Sequence, residues 1–275
     1  MLFQRRFRPV IGLDITTSSI KLIELTRSGD SYRVESYAAE PSPPNAINEK
    51  AIVDAQAVGE AVRRAVKRAG ARSRECAVAV SGDAAITKVI QMPRNLRDNE
   101  LESQVEMQAD QYIPFPMEEV SYDFEVIGPS EKDPEMLDVL LVATRSENVE
   151  QRQAAVQAAG LTARIVDVEA FALENACRLL THQMPDGGME RSIAVVDFGA
   201  SSTTFSVLRN TKVAYTRDFS FGGQQLTEEI MRTYGLSMEE AGRAKKEGGL
   251  PANYQSEVLD PFIDDMCQQV SRSLQ

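Results

Sequence analysis

At 275 residues the chain allows one large domain or two modest ones, each with a real core. Its composition, 43% hydrophobic and 26% charged, is that of a soluble globular protein, and a net charge of −11 argues against a broad nucleic-acid surface. Cys76, Cys177 and Cys267 are scattered thiols without zinc spacing and suit a reducing compartment, and His182, the single histidine, removes most Ser-His-Asp and Cys-His schemes.

The start of the chain has arginines and phenylalanines but no apolar h-region, so it is not a signal peptide. Leu2, Phe3, Arg5, Arg6 and Phe7 could touch a membrane surface, but a frayed terminus is the preferred reading. No apolar run is long enough to span a bilayer. A hairpin follows, Ile11-Gly12-Leu13-Asp14-Ile15-Thr16-Thr17-Ser18-Ser19 and then residues 20–25, with a third strand over 32–37. Apolar spacing predicts a helix over 54–69, capped by Gly70, and a buried strand over 76–81. The basic stretch Arg63-Arg64-Ala65-Val66-Lys67-Arg68 reads as the solvated face of that helix.

Texture then changes. A strand over 85–92 and a polar helix over 95–112, ended by Ile113-Pro114-Phe115-Pro116, precede strands over 120–127 and 137–144 and a helix over 146–159. This reads as a βαββα insertion, from which the chain returns near Ile165 with a strand over 164–168 and a helix over 170–180. The loop 181–190, with Pro185, Asp186, Gly187 and Gly188, is the clearest linker. Beyond it the opening pattern recurs as Val195-Val196-Asp197-Phe198-Gly199-Ala200-Ser201-Ser202-Thr203-Thr204, with strands over 203–208 and 213–219, Gly222-Gly223, and helices over 224–234, 237–247 and from 254 onward.

Each repeat delivers an aspartate into a tight tip of small hydroxyl residues. Such tips let backbone amides converge on an anion, while the aspartate can hold Mg²⁺ through its water shell. One tip alone is ordinary turn chemistry. Two of them favour a duplicated domain that grips one phosphate chain. The second repeat has three strands and then only helices, so a C-terminal piece is expected to be missing or supplied by a partner.

These motifs resemble the actin-like ATPase superfamily, in the branch of FtsA and PilM. The resemblance is carried by the two hairpins and by the connecting segment Val166-Asp167-Val168-Glu169-Ala170-Phe171-Ala172-Leu173-Glu174-Asn175-Ala176. Likeness to the PilM family rests further on Gln111-Tyr112-Ile113-Pro114-Phe115-Pro116, Phe221-Gly222-Gly223-Gln224-Gln225-Leu226-Thr227 and Tyr234-Gly235-Leu236. The resemblance implies an α/β, ribonuclease H-like duplicated fold with an FtsA-type 1C insertion and an incomplete second domain. Its parts would be 1–84 for the first stretch of subdomain 1A, 85–161 for 1C, 162–190 for the return and connecting helix, 191–221 for part of 2A and 222–275 for 2B with the following helix.

The same resemblance implies ATP or ADP with Mg²⁺ as the ligands. By that likeness phosphates would meet Thr17, Ser18, Ser19, Ser201 and Ser202, with Thr16, Gly199, Gly222 and Gly223 also in the nucleotide site, the metal would meet Asp14 and Asp197, and Lys245 would approach the nucleoside. Thr16 stands where the superfamily usually has glycine, so a positive φ there would be strained, and Gly242 falls where a ribose-binding glutamate is expected. No adenosine motif matches before Gln275. The leading function implied by the resemblance is a cytoplasmic adaptor of the type IV pilus platform, peripheral at the inner membrane. It would bind the cytoplasmic N-terminal peptide of PilN in a groove between 1A and 1C, with Ile113 and Phe115 on the partner-facing side. The PilN/PilO complex, pilus motor ATPases and self-association are further implied partners, and nucleic acid is not. Alternatives are an actin-like ATPase with real turnover, for which Asp167 and Glu169 are the candidate water-orienting residues, and an FtsA-like membrane-tethered division protein.

Overall fold

The computed structural model describes residues 9–29 and 31–274. The reading of Leu2, Phe3, Arg5, Arg6 and Phe7 lies outside them. The chain divides into two compact units, Met1–Glu169 and Ala170–Gln275, and among the described residues no helix is long and apolar enough to cross a membrane.

In the first unit, β1 (Ile11–Ile15), β2 (Ser19–Ser28) and β3 (Ser31–Pro41) form an antiparallel meander. A short ribbon, β4 (Ile47–Asn48) and β5 (Ala51–Ile52), leads into α1 (Ala55–Ala69) and β6 (Glu75–Val80), which runs parallel to β1. Strand β6 alternates Cys76, Val78 and Val80 into the core, which is the period of two that a half-covered strand requires. Helix α1 buries Val58, Ala61, Val62, Ala65 and Val66 along one stripe. It begins where the Asp54 carboxylate accepts the Ala57 amide at 2.9 Å and ends at Gly70, left-handed at φ 66°.

The chain then leaves for a separate antiparallel sheet, order β7-β9-β8, built from β7 (Ala85–Pro93), β8 (Val120–Pro129) and β9 (Met136–Arg145). Helix α2 (Asp98–Ala109) closes a second core over it from Leu101, Val105 and Ala109 against Ile90, Met92, Val139, Leu141 and Ala143. This helix is shorter than the 95–112 expected. The Glu100 carboxylate accepts the Arg97 amide at 2.9 Å and fixes its start, so residues 95–97 stay outside.

Helix α3 (Ser146–Ala158) belongs by sequence to the insertion but packs elsewhere. Its Ala155 and Val156 are wholly buried in the first core, against α1. The approach is close because of Gly59: a Cβ there would fall 2.5 Å from the Ala158 methyl carbon and 2.7 Å from the Ala155 carbonyl oxygen. Strand β10 (Thr162–Val168) then pairs parallel to β6, giving a five-stranded sheet in the order β10-β6-β1-β2-β3.

One buried acid ties this sheet to the turn after α1. The Glu24 carboxylate accepts the Ser36 hydroxyl at 3.2 Å and the amides of Arg72 and Ser73 at 3.3 and 3.1 Å. Removing it strands three donors, so Glu24→Ala is expected to destabilise the first unit by about 2 kcal/mol, read as a lower urea midpoint with an unchanged slope. A midpoint equal to wild type would show that these bonds contribute nothing net.

In the second unit, α4 (Glu169–Arg178) precedes an antiparallel meander of β11 (Ser192–Phe198), β12 (Thr203–Arg209) and β13 (Lys212–Phe219). Glu174 of α4 reaches the β12–β13 turn, where it accepts the Val213 amide at 2.7 Å and pairs with Lys212 at 3.3 Å. Then come α5 (Gly223–Tyr234), α6 (Met238–Glu247) and, after one wide helical turn over Gln255–Leu259, α7 (Asp260–Ser273). Leu226, Ile230, Ala241 and Val258 form their shared core. Ser237 caps α6 reciprocally with Glu240, as a serine three residues before a glutamate predicts.

Candidate functional site

In the first tip the side chain of Thr16 takes over the work expected of a special backbone. Thr16 is not among the residues with positive φ, so the glycine position carries no left-handed strain. Its amide and hydroxyl both donate to the Ser19 carbonyl, at 3.0 and 2.9 Å, and its Oγ1 accepts the Ser19 amide at 3.2 Å. The loop beyond β3 braces this turn: the Ser42 hydroxyl donates to the Thr16 carbonyl at 2.6 Å and its amide to the Ser18 carbonyl at 3.2 Å.

Asp14 sits at the end of β1 with its carboxylate 2.8 Å from the Lys21 ammonium, directly across the hairpin. Lys21 does not stand out in the sequence, although the register of a hairpin with an Asp14-to-Ser19 tip places it opposite Asp14. The pair is half exposed, so a divalent ion or a phosphate can compete for either partner at modest electrostatic cost.

The second tip is built around backbone contact. The Gly199 amide donates to the Ser202 carbonyl at 2.9 Å, closing the turn. Two amides at the start of α5, from Gly223 and Gln224, donate to the Gly199 and Ala200 carbonyls at 3.0 and 2.7 Å, so the tip and the helix start form one body. The contact needs glycine at 222: a Cβ there would lie 2.5 Å from the Ala200 oxygen and 2.7 Å from the Gly199 oxygen. Gln225 locks the turn, accepting the Gly222 amide at 2.7 Å and donating to the Ser220 carbonyl at 3.1 Å. Thr203 adds a 2.6 Å bond to the Phe221 carbonyl.

Lys245 of α6 joins the same group. Its ammonium donates to the Gly223 carbonyl at 2.7 Å and the Thr227 hydroxyl at 2.6 Å, and burial, with Lys246 nearby, lowers its pKa. Thus Gly199, Ser201, Ser202, Gly222, Gly223 and Lys245 are assembled in one place. Among the described residues, the Ala200 and Ser202 amides have no acceptor and the Asp197 carboxylate, at the end of β11, has no hydrogen-bond or ion partner. Small residues, open amides, a cation and an unengaged carboxylate are a donor set that fits a phosphate with its metal ion. Gln225 and Thr227 lie in the run 221–227 that carries the family likeness, but their contacts are not legible there, because a polar residue in the first turns of a helix is ordinary.

Of the two candidate water-orienting residues, Asp167 accepts the neighbouring Val168 amide at 2.8 Å, and Glu169 lies 3.6 Å from Lys50. Among the described residues no group of three or more His, Cys, Asp and Glu is gathered for a metal.

Ile113 requires a correction. It is 5% exposed and belongs to the core under α2, so it holds the insertion together and presents no surface to a partner. Periodicity cannot reveal this, because a residue just past a helix end has no pattern to follow. Phe115 is partly buried beside it and stacks under the Arg145 guanidinium, 4.2 Å from the ring centroid.

The first unit also contains a cleft of about 110 Å³, lined by Glu49, Lys50, Ser81, Asp83, Asn148 and Arg152, where the five-stranded sheet gives way to the insertion. Arg152 is its inner wall. The guanidinium donates to the carbonyls of Ala79, Asn148 and Lys50 at 2.5, 3.1 and 3.2 Å. Burial pulls its pKa down, while the carboxylates of Glu169 and Asp83 push it back up.

Comparison with known proteins fits this architecture. The family described as type IV pilus assembly protein PilM matches residues 12–275. The solved PilM-PilN type IV pilus biogenesis complex superposes with a TM-score of 0.77 at 29% identity, covering 96% of this chain and 76% of that one. The ethanolamine utilization protein EutJ of Carboxydothermus hydrogenoformans shares the fold, with a TM-score of 0.58 at 18% identity, over 97% of this chain and 71% of its own. The cell division protein FtsA of Bacillus subtilis is 28% identical over 261 residues, 87% of this chain, and the chain spans 58% of the length of that curated relative.

Proposed function

The chain belongs to the family of the type IV pilus assembly protein PilM, an actin-like fold, and from that premise we propose that it is a nucleotide-responsive adaptor of the pilus machinery that holds a PilN-like partner through a short peptide. The observation that carries this reading is the likeness, over 96% of the chain, to a structure whose PilM subunit is in complex with PilN. The receiving surface is the cleft between the five-stranded sheet and the insertion. Its polar lining of Glu49, Asp83, Asn148 and Arg152 offers donors and acceptors to an extended peptide backbone. Attachment through such a partner accounts for residence at the inner membrane.

ATP or ADP with Mg²⁺ is the small ligand. Ala200, Ser202 and Lys245 would meet phosphate and Asp197 would hold the metal's water shell, all within the second unit. The metal would supply charge neutralisation to the phosphates. Asp167 and Glu169 are already engaged by a neighbouring amide and by Lys50, which favours an adaptor over rapid turnover.

The test is fluorescence anisotropy of a labelled PilN-like N-terminal peptide with the full chain. Saturable binding is expected, weakened about tenfold, or about 1.4 kcal/mol, by Asp83→Lys, which alters the cleft without touching either core. Failure of the wild-type chain to bind the peptide would overturn the adaptor reading. For the nucleotide, titration calorimetry should show a Mg²⁺-dependent gain in ADP affinity that shrinks about tenfold in Asp197→Ala. An undiminished gain in the variant would remove Asp197 from the metal site.

A further inference from the structure

We propose that the last two turns of α1 and the loop after it form a docking ridge for an anionic phospholipid surface. Residues 63–74 carry six basic side chains and no acidic one, in a chain whose net charge is −11. Arg63, Arg64, Lys67, Arg68, Arg72 and Arg74 are all exposed, while the opposite face of the helix, Val58, Ala61, Val62, Ala65 and Val66, is sealed in the core. Arg63 donates to the Ala158 carbonyl of α3 and Arg68 to the Ala39 carbonyl of β3, at 3.4 Å, so the exposed charge left over is that of Arg64, Lys67, Arg72 and Arg74. Arg68 is matched by Glu40 at 3.0 Å, whereas among the described residues Arg64, Lys67 and Arg74 have no ion partner.

The helix dipole explains part of this. Cations in a last turn neutralise the terminal carbonyls, which accounts for Lys67 and Arg68. It does not account for Arg64, a turn earlier, or for Arg72 and Arg74, beyond the Gly70 cap. A cluster of roughly four to eight Lys and Arg on an amphipathic helix is what an anionic lipid surface attracts. A polynucleotide fits less well, because no aromatic side chain interleaves the ridge to stack on bases.

With no apolar side chain on the exposed face the contact is shallow and electrostatic, suited to orienting a protein that a second attachment holds near the membrane. Ridge and cleft lie at opposite ends of β6: Arg74 precedes its first residue, Glu75, and Ser81 follows its last, Val80. Both can be engaged at once, and the lipid contact holds whether or not the chain binds a PilN-like peptide.

The experiment is co-sedimentation of the full chain with phosphatidylglycerol-containing vesicles and with pure phosphatidylcholine vesicles, at about 50 and about 300 mM salt. Retention is expected on the anionic vesicles only and is lost at the higher salt. Charge reversal at Arg64, Lys67 and Arg74 (R64E/K67E/R74E) should lower partitioning about tenfold or more, with melting temperature and peptide binding unchanged, while a chain lacking residues 1–8 should still bind. Equal retention on both vesicle types, wild-type partitioning by the charge-reversed variant, loss of binding on removing residues 1–8, or stronger binding of an oligonucleotide than of vesicles would each overturn the proposal. Loss of peptide binding with vesicle binding intact would count against the adaptor reading alone.

Discussion

Gly222→Ala is expected to lower the affinity for ADP about a hundredfold, close to 3 kcal/mol, while the first unit stays folded. The backbone at Gly222 is extended, at φ −170° and ψ −176°, a conformation any residue adopts. Space is what alanine lacks. Its methyl would stand 2.5 Å from the Ala200 oxygen and 2.7 Å from both the Ala200 carbon and the Gly199 oxygen. These are backbone atoms, so no rotamer change relieves the clash, and the Ala200 tip must separate from the start of α5. The bonds from Gly223 and Gln224 to the tip carbonyls stretch together, and the amides of Ala200 and Ser202 lose their common aim. Gly242→Ala is the control: a Cβ there meets nothing within 4 Å, and in the interior of α6 it should be neutral or stabilising by up to about 1 kcal/mol. ADP binding by Gly222→Ala at wild-type strength would show that the second tip does not hold the phosphates.

Arg152→Ala should be the most destabilising single change in the first unit, by about 3–5 kcal/mol, and should abolish peptide binding. One guanidinium serves three chain segments: Ala79 near the end of β6, Asn148 one turn earlier in α3, and Lys50 in the β4–β5 turn. That turn needs an anchor, since Glu49 and Lys50 both hold positive φ, 44° and 68°. Alanine would leave three carbonyls without their donor and empty the inner wall of the cleft. Arg152→Lys keeps the charge but has one ammonium for three divergent acceptors, so an intermediate loss is expected. Thermal melting with urea titration measures both. A change under about 1 kcal/mol in Arg152→Ala would mean that water replaces the guanidinium without cost.

Much of this molecule is readable from local chemistry. The alternation of Cys76, Val78 and Val80, the stripe from Val58 to Val66, the Asp54 and Gly70 caps and the Ser237 box all act within a few residues, so their period and spacing announce them. The paired tips are legible for the same reason, being short runs of small hydroxyl residues after an aspartate. Their resemblance to the actin-like superfamily then identifies the fold, which the family match and the structural likeness bear out.

What the sequence determined by itself is therefore most of the longer elements, though not the β4–β5 ribbon or the bounds of α2, together with the repeated tips and the family. Tertiary structure decided the rest, because those features depend on segments far apart in the chain meeting at atomic distance. Ile113 became core when α2 folded down on the insertion sheet, and α3 reached the first core only because Gly59 lets it approach α1. Arg152 bonds a carbonyl 102 positions away, and Lys245 reaches back 22 positions to Gly223. Periodicity records which face of an element is buried. It carries no information on which backbone oxygen a buried cation will find, since that depends on how closely two elements pack.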